Sequence, residues 1–251
     1  MKKLIAVIFA LMIPGAAFAA GPAVPLDKAH VDVTNEAALQ RGAKLFTNYC
    51  LSCHEAGFAR YNRVGRDLGL TEEQVQQYLI NTTDADGAPT KVGELMKVAM
   101  TKAYGSEAFG AAAPDLTLVA RVRGTDWVYT YLRSFYKDDK RPFGVNNTVF
   151  PNVGMPHVLW ELQGRQELVV RTEVDAKGHE HEVTELKLVE PGTMTPAEYN
   201  QAVLDLVTFL AYLGEPAQTE RKVIGIWVLI FLFVLFVFAY FLKKEYWKDV
   251  H

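Results

Sequence analysis

The chain has 251 residues, of which 50% are hydrophobic and 22% are charged, and its formal net charge is -3. This composition is typical of one globular domain whose core is large enough to be stable without disulfides. The mild acidity and the lack of a basic stripe argue against a nucleic-acid-binding function.

The average composition conceals an apolar stretch at each end of the chain, and the first has the three parts of a secretory signal peptide. Lys2 and Lys3 give a positive start, Leu4–Met12 supplies nine apolar residues, and Ala17–Ala19 is a small-x-small cleavage site. An uncleaved anchor is the alternative, but nine apolar residues are too few to span a bilayer. We therefore predict export of the chain and cleavage after Ala19.

The first helix predicted in the mature chain spans Asn35–Phe46. Leu39 and Ala43 share a face with Phe46, and Asn35 is a suitable N-cap. Gly42 in its interior costs about 1 kcal/mol relative to alanine. We therefore expect another helix to cross closely at this glycine.

This helix leads into NYCLSCH, which contains both cysteines of the chain. Such a pair could form a structural disulfide, half of a zinc site or a redox-active dithiol. Zinc normally takes four protein ligands, and a second Cys or His pair at suitable spacing is missing. A thioredoxin-like dithiol would follow a strand, whereas a helix is predicted here. Only the Cys-x-x-Cys-His motif of c-type haem also explains the histidine, so we interpret Cys50 and Cys53 as thioether attachments and His54 as an axial iron ligand.

The middle of the chain shows further elements. A helix is predicted from Thr71, with a capping box, to about Ile80, and another over Gly124–Phe135. A shorter helix is predicted over Met96–Tyr104. Residues 81–90 and 137–151 are predicted loops.

A β-hairpin is predicted between residues 168 and 189. The segments LVVRTEV and EVTELKLV flank DAKG, whose glycine suits a turn. The sequence does not indicate what this hairpin does.

The second axial ligand decides what a haem can do. An open position allows gas or peroxide chemistry, whereas a second strong ligand restricts the iron to passing electrons. Besides the two methionines of the predicted signal peptide, the chain has four. Met96 and Met100 are spaced like one helix face, and Met194 adjoins a helix cap, so all three favour packing roles.

Met155 lies between Gly154 and Pro156 in a rigid loop that can hold a thioether sulfur over iron. Filling a gap in the core is the alternative role. His157 is a rival ligand, and the choice is measurable because thioether ligation raises the reduction potential relative to histidine.

The helix with the clearest signals begins at Thr195–Glu198, where a capping box is combined with proline at the first helical position. Its apolar stripe runs from Val203 to Leu213, and Gly214 and Pro216 end it. We expect this helix to be the one that crosses Gly42.

The second apolar stretch, Val223–Leu242, has twenty residues without a charge. At about 1.5 Å per residue it covers about 30 Å, the thickness of a hydrocarbon core. A helix of a soluble protein is rarely apolar on every face for this length. We predict a membrane anchor, with the domain before it in a bacterial periplasm and the basic tail in the cytoplasm.

Four stretches, in chain order, resemble one protein family. RGAKLFTNYCLSCH, AAAPDLTLVARVRG and VGMPHVLWELQG are similar to the haem-attachment helix, the Pro-Asp-Leu segment with its arginines and the methionine-ligand loop of the cytochrome c1 family. The C-terminal anchor with its short basic tail resembles the family's membrane attachment. These proteins are the haem-bearing subunits of the quinol–cytochrome c oxidoreductase (bc1) complex.

The resemblance implies roles for particular residues. Met155 becomes the sixth iron ligand, and Pro114 packs beside the haem near the proximal histidine. Arg123, with Arg121 as second choice, pairs with a haem propionate, which needs a charge-assisted partner. The family often has two prolines before Asp-Leu, whereas here Ala113 precedes Pro114.

The sequence patterns and the resemblance together imply the fold class and the domains. The expected fold is mainly α, a c-type cytochrome haem domain with a small β-hairpin insertion and one C-terminal transmembrane helix. Trp127 and Tyr131 would line the haem pocket or pack within their helix. The expected division is a signal peptide (1–19), a periplasmic haem domain (20–220), a transmembrane anchor (223–242) and a cytoplasmic tail (243–251).

The function implied is electron transfer at the bacterial inner membrane. The protein would accept electrons from the Rieske iron–sulfur protein beside cytochrome b, in a dimeric complex, and pass them to a soluble or membrane-bound c-type cytochrome. It would make or break no substrate bond. The rivals are an anchored monohaem carrier of another kind, and a haem sensor or peroxidase with an open sixth position.

Overall fold

A computed structural model describes residues 24–249, apart from residues 85, 99 and 175–179. The predicted signal peptide lies outside the described residues. In chain order the helices of the described part are α1 (Glu36–Leu45), α2 (Tyr61–Asp67), α3 (Glu72–Tyr78), α4 (Lys102–Phe109), α5 (Val119–Val122), α6 (Thr125–Arg133), α7 (Trp160–Gln163), α8 (Pro196–Gly214) and α9 (Gln218–Tyr246).

The strands pair in twos, and each of the three pairs is antiparallel. Strand β1 pairs with β2, β3 with β4, and β5 with β6. They are β1 (Ala56–Arg60), β2 (Leu95–Met96), β3 (Phe135–Lys137), β4 (Val145–Asn147), β5 (Gly164–Val174) and β6 (Glu180–Pro191).

Four helices predicted from the sequence, α1, α3, α6 and α8, are confirmed. The Asn35 side chain caps α1 by accepting from a backbone N–H three residues on, at 3.1 Å. Thr71 and Thr195 form reciprocal capping boxes with Gln74 and Glu198 at the starts of α3 and α8. These ends follow from local hydrogen bonds, which explains why the sequence alone predicts them.

The crossing of α1 and α8 at Gly42 is also confirmed. A Cβ atom at Gly42 would overlap the backbone carbonyl of Asp205 and lie 2.7 Å from the Cβ atom of Phe209. One turn further, the rings of Phe46 and Phe209 lie 5.6 Å apart. The glycine therefore allows the two helices to pack backbone to backbone. Buried residues of both helices belong to the hydrophobic core.

Replacing Gly42 with alanine is expected to lower the free energy of unfolding by about 1–3 kcal/mol, because the added methyl group forces the two helix backbones apart. The measurement is thermal unfolding of the full chain in detergent. Gly93→Ala is the matched control, since a Cβ there would meet no heavy atom within 4 Å. Equal midpoint temperatures for the two variants would contradict the close crossing.

The predicted helix over Met96–Tyr104 is wrong. Met96 is fully buried in β2, where it pairs with Ala56. The helix in this region is α4, which starts only after Thr101 caps it and ends at Gly110, whose φ is 76°. The four-residue spacing of two methionines resembled a helix face, but strand pairing and burial decide the conformation here.

The predicted loop at 137–151 is wrong in part, because strand β4 lies within it and pairs with β3. Strands β5 and β6 pair where the sequence predicted a hairpin, from Gly164 opposite Pro191 to Val174 opposite Glu180. The predicted turn at Asp175–Gly178 lies outside the described residues. The described residues of the predicted loop at 81–90 are irregular apart from one bridge between Thr83 and Pro89.

Helix α9 follows α8 almost directly and contains the predicted anchor. The candidate membrane span is Glu220–Tyr246; its most apolar 18-residue window has a mean hydropathy of 2.9, and 0% of that window is buried against the rest of the described protein. An apolar helical segment that the rest of the described protein leaves unburied needs another apolar environment. This finding is consistent with a single-pass membrane anchor.

Candidate functional site

The cysteine motif forms a tight turn at the end of α1. The helix widens into one π-helical turn, in which the Leu51 N–H donates to the Phe46 carbonyl at 2.9 Å. The N–H groups of Cys53 and His54 then donate to the carbonyl of Cys50, at 3.1 and 2.8 Å. Widened turns of this kind are frequent at functional sites. The turn places two thiols and an imidazole within five residues of backbone that is held by its own hydrogen bonds.

Both thiols are free, so the structure holds no disulfide between them. Cys50 is buried and Cys53 is half-buried. Burial raises the pKa of the Cys50 thiol to about 12, and the neighbouring Cys53 acts in the same direction. The Cys50 side chain is therefore an uncharged thiol in an apolar setting, which makes it a poor attacking nucleophile.

The imidazole of His54 is held through one nitrogen only. Its Nδ1 atom lies 2.8 Å from the backbone carbonyl of Pro114. A carbonyl can only accept, so Nδ1 carries the proton and Nε2 keeps a free lone pair. Burial lowers the pKa of His54, and the bond to Pro114 opposes this shift in part. A neutral imidazole with a backbone partner on the far nitrogen is the usual form of a metal-binding histidine.

Asp115 positions the Pro114 carbonyl. One carboxylate oxygen of Asp115 accepts from the Thr117 N–H (2.7 Å) and hydroxyl (2.6 Å), and the other accepts from the Gly57 N–H (3.0 Å). The Leu116 N–H also donates to the Glu55 carbonyl at 2.9 Å. The Pro-Asp-Leu segment is thereby tied to the residues directly after the cysteine motif.

Met155 lies in a second group of side chains. The Tyr131 hydroxyl donates to the Met155 sulfur at 3.3 Å. The Tyr131 ring stacks on Trp127 of the same helix, with centroids 4.9 Å apart, and meets the edge of Phe135 at 5.2 Å. Burial raises the pKa of Tyr131, so the hydroxyl stays protonated and remains a donor. Met155 thus has a fixed polar partner on its sulfur.

The two arginines expected near a propionate lie in different places. The Arg123 guanidinium carbon is 5.1 Å from the Trp127 ring centroid and 6.0 Å from that of Phe150, so Arg123 belongs to the Met155 group. Arg121 forms an ion pair with Glu215 at 3.2 Å, at the C-terminal end of α8. Arg123 therefore keeps the predicted role as a proposal, whereas Arg121 has a protein partner elsewhere.

Helix α4 lies close both to the segment that holds His54 and to the loop that carries Met155. A Cβ atom at Gly105 would lie 3.5 Å from the backbone nitrogen of Ala113, next to Pro114. A Cβ atom at Gly154 would lie 2.6 Å from the Phe109 carbonyl at the end of the same helix. Because Gly154 has no side chain, the end of α4 can approach the backbone of the loop that carries Met155.

His157, the rival iron ligand, has a packing partner. Its ring lies parallel to that of Phe135, with an interplanar angle of 3° and centroids 4.8 Å apart. Burial lowers its pKa to about 4, and Gln163 opposes the shift. The stack gives His157 a packing partner, but its buried Nε2 atom has no hydrogen-bond partner among the described residues, so His157 stays a rival ligand.

The sequence missed three parts of this site. They are the Asp115 network, the contact of Phe109 with Gly154, and the ring of Phe150 under Arg123. Asp-x-Thr is a recognisable turn motif and could have indicated the first. The other two join residues distant in the sequence and leave no local signal.

The side chains present fit a covalently attached haem. Two neighbouring free thiols can form thioethers, and a neutral imidazole and a thioether are ligands typical of electron-transfer haem iron. The fit rests on the Nε2 atom of His54, which keeps its lone pair for a metal, and on the Met155 sulfur, which the Tyr131 hydroxyl holds by a hydrogen bond.

Comparison with known proteins gives one family. The profile of the Cytochrome C1 family matches residues 28–250. A cytochrome c1 of Allochromatium vinosum is 51% identical over 251 residues, which are 100% of both chains. The ammonia monooxygenase gamma subunit of Nitrosomonas europaea is 45% identical over 96% of this chain and 95% of its own. A mitochondrial cytochrome c1 heme protein of Neurospora crassa is 26% identical over 84% of this chain and 61% of its own.

Proposed function

Because this chain belongs to the cytochrome c1 family, we propose that it is the electron-transfer subunit of a bc1 complex and carries one covalent haem c. The observation that carries the proposal is the turn in which Cys50, Cys53 and His54 share a rigid backbone while the Nδ1 atom of His54 is held by Pro114. This arrangement supplies two attachment thiols and one free imidazole lone pair.

In this proposal Cys50 and Cys53 would hold the haem by thioethers, and His54 and Met155 would be the iron ligands. Pro114 packs near the proximal side, and Arg123 pairs with a propionate. When bound, the haem supplies one-electron oxidation and reduction. The protein forms no substrate bond of its own.

The side chains tune this chemistry through hydrogen bonds. The Pro114 carbonyl accepts from His54 and so makes the imidazole a better donor. The Tyr131 hydroxyl draws electron density from the Met155 sulfur and makes it a weaker donor to oxidised iron. With His54 and Met155 as the two protein ligands, a bound haem would be restricted to electron transfer.

The proposed place of the protein is the bacterial inner membrane, with residues 20–220 as a periplasmic haem domain. Helix α9 anchors the domain beside cytochrome b, and the tail from residue 243 lies in the cytoplasm. The proposed electron donor is the Rieske iron–sulfur protein, and the acceptor is a soluble or membrane-bound c-type cytochrome. A tether of this kind raises the local concentration of the haem domain near its partners. The complex is proposed to be a dimer.

The test is a pyridine haemochrome assay and a redox titration on the complex purified in mild detergent, with subunits identified by mass spectrometry. We expect one haem c per chain and co-purification with cytochrome b and the Rieske protein. Carbon monoxide binding by the reduced native protein would instead support a sensor or peroxidase. A chain without any bound haem would overturn the proposal.

A second candidate is an electron-transfer subunit of a different membrane oxidoreductase. The observation that favours it is the 45% identity to a protein described as an ammonia monooxygenase gamma subunit. The same purification separates the two candidates, since the second requires other subunits in place of cytochrome b and the Rieske protein.

Replacing Tyr131 with phenylalanine is expected to lower the reduction potential by about 20–45 mV. The hydrogen bond to sulfur is worth about 0.5–1 kcal/mol, and for one electron 59 mV corresponds to a tenfold change in the equilibrium. Its loss strengthens sulfur donation to oxidised iron and so favours the oxidised state. A redox titration measures the shift.

The control for this variant is Tyr129→Phe on the same helix, whose ring lies 4.5 Å from the Arg133 guanidinium carbon. It should leave the potential unchanged. An unchanged or raised potential in Tyr131→Phe would mean that the hydroxyl does not act on the iron ligand.

A further inference from the structure

A basic and apolar cavity lies at the end of the domain where the chain enters α9. Its volume is about 640 Å³, and its walls come from β1, α2, the residues before α5, and the end of α8. Its lining includes three apolar and three basic residues: Phe58, Leu118, Leu213, Arg60, Arg63 and Arg66.

The cavity is close to the start of the membrane span. Pro216 lines it, and the candidate span begins only four residues later, at Glu220. Four helical residues rise about 6 Å. The charge of Glu220 also contributes to the raised pKa of Arg63. Since α9 enters the membrane at this point, the cavity lies at the level of the lipid headgroups.

The basic side of the cavity keeps positive charge. Arg63 is neutralised by Asp67 at 2.5 Å, and this carboxylate also accepts from Tyr212 at 2.8 Å. Arg60 donates to the Gly93 carbonyl, a neutral partner, at 2.8 Å. The Arg66 side chain is 72% exposed, and its Nε atom lies 3.8 Å from Asp67. Three guanidinium groups thus face two carboxylates, Asp67 and Glu220, which leaves one positive charge in excess and favours an anion.

Apolar side chains on the other side of the cavity are exposed to solvent. Phe58 is 76% exposed and Leu118 is 44% exposed, and Val122, on the turn after Leu118, is 77% exposed. An apolar surface beside a basic rim matches an amphiphile whose negative headgroup and hydrocarbon part lie next to each other. A free anion would use only the basic rim.

We propose that this cavity binds one anionic phospholipid of the leaflet at which α9 enters the membrane. Its phosphate contacts Arg60 and Arg66, and its acyl chains run along Phe58 and Leu118 towards α9. The proposal rests on the proposed anchoring by α9 and is independent of the haem and of its ligands. A bound lipid would fix the domain at a set height above the bilayer.

The test uses the full haem-loaded chain, purified in mild detergent and freed of lipid. Phosphatidylglycerol, phosphatidylcholine and inorganic phosphate are the three probes, and native mass spectrometry counts the bound molecules. We expect phosphatidylglycerol to bind more tightly than phosphatidylcholine, and inorganic phosphate not to displace it. In Arg60→Gln/Arg66→Gln the affinity for phosphatidylglycerol should fall roughly tenfold.

Two further variants complete the test. Arg66→Gln alone keeps the Arg60 contact with Gly93 and should lose affinity roughly threefold. The control Arg171→Gln/Lys187→Gln removes two charges from the β5–β6 hairpin, away from the cavity, and should bind as the wild type does. Haem content and thermal unfolding report the integrity of every variant.

Three outcomes would overturn the proposal. The first is equal binding of the two lipids, or equal binding by the double variant and the control. The second is displacement of phosphatidylglycerol by inorganic phosphate, which would indicate a simple anion site. The third is a purified complex in which another subunit occupies the cavity and no lipid is retained. In each case the haem content could still be normal, so the proposed redox function would stand.

Discussion

Met155→Leu is expected to leave the haem covalently attached while lowering its reduction potential on the order of 0.2 V, within the ~0.8 V range that axial ligands control. Leucine has a similar volume to methionine but no lone pair, so the side chain can fill the loop without binding iron. Without the thioether, one ligand position of the bound haem would be open to an exogenous ligand. A redox titration measures the potential, and carbon monoxide binding to the reduced protein reports the open position.

The control for Met155→Leu is Met194→Leu, because Met194 packs against the core next to the cap of α8. The substitution conserves volume and should leave both measurements at their wild-type values. If Met155→Leu matches the wild type in spectrum and potential, Met155 is not the ligand. His157, stacked on Phe135, would then have to be tested in the same way.

The double variant Cys50→Ala/Cys53→Ala is expected to lose essentially all of its haem in acid-acetone extraction. Each thioether is a covalent bond, whereas axial ligation alone is reversed when acid protonates His54 and unfolds the chain. Cys50→Ala alone should weaken retention while the second thioether remains. Haem staining of a denaturing gel and the extracted haem measure the effect.

Ser52→Ala is the matched control for the cysteine variants, since Ser52 is exposed between the two cysteines and its hydroxyl lies 3.8 Å from the Cys53 sulfur. It should retain all of its haem. Haem that stays with the double variant after extraction would show that the attachment lies elsewhere. That result would contradict the proposed covalent haem while leaving the family membership intact.

The predictions for Met155 and for the cysteines concern two segments of the chain. The sequence alone says more about the cysteine motif than about the methionine loop. The cysteine motif is a five-residue pattern, and its turn is closed by hydrogen bonds within Phe46–His54. Met155 is different, because its loop carries no fixed spacing to the motif. Its place between Gly154 and Pro156 indicated this methionine, the resemblance to a family strengthened the prediction, and the structure adds its partner Tyr131.

The sequence by itself determined the features whose causes are local. Capping side chains at Asn35, Thr71 and Thr195 predict where helices begin, since the hydrogen bonds involved span three residues. Gly42 predicted a close helix crossing because a glycine inside a helix is otherwise unfavourable. The long apolar stretch that became α9 needed only its length and composition.

The tertiary structure alone decided which distant residues meet. Pro114 holds His54 across sixty positions of sequence, and Arg121 pairs with Glu215 while Arg123 joins the Met155 group. Two arginines two residues apart carry the same local signal, and only the packing around them separates their partners. Met96 likewise became a strand residue because pairing with β1 and complete burial outweighed its helix-like spacing. Such contacts depend on how the elements pack together, and no short segment contains that information.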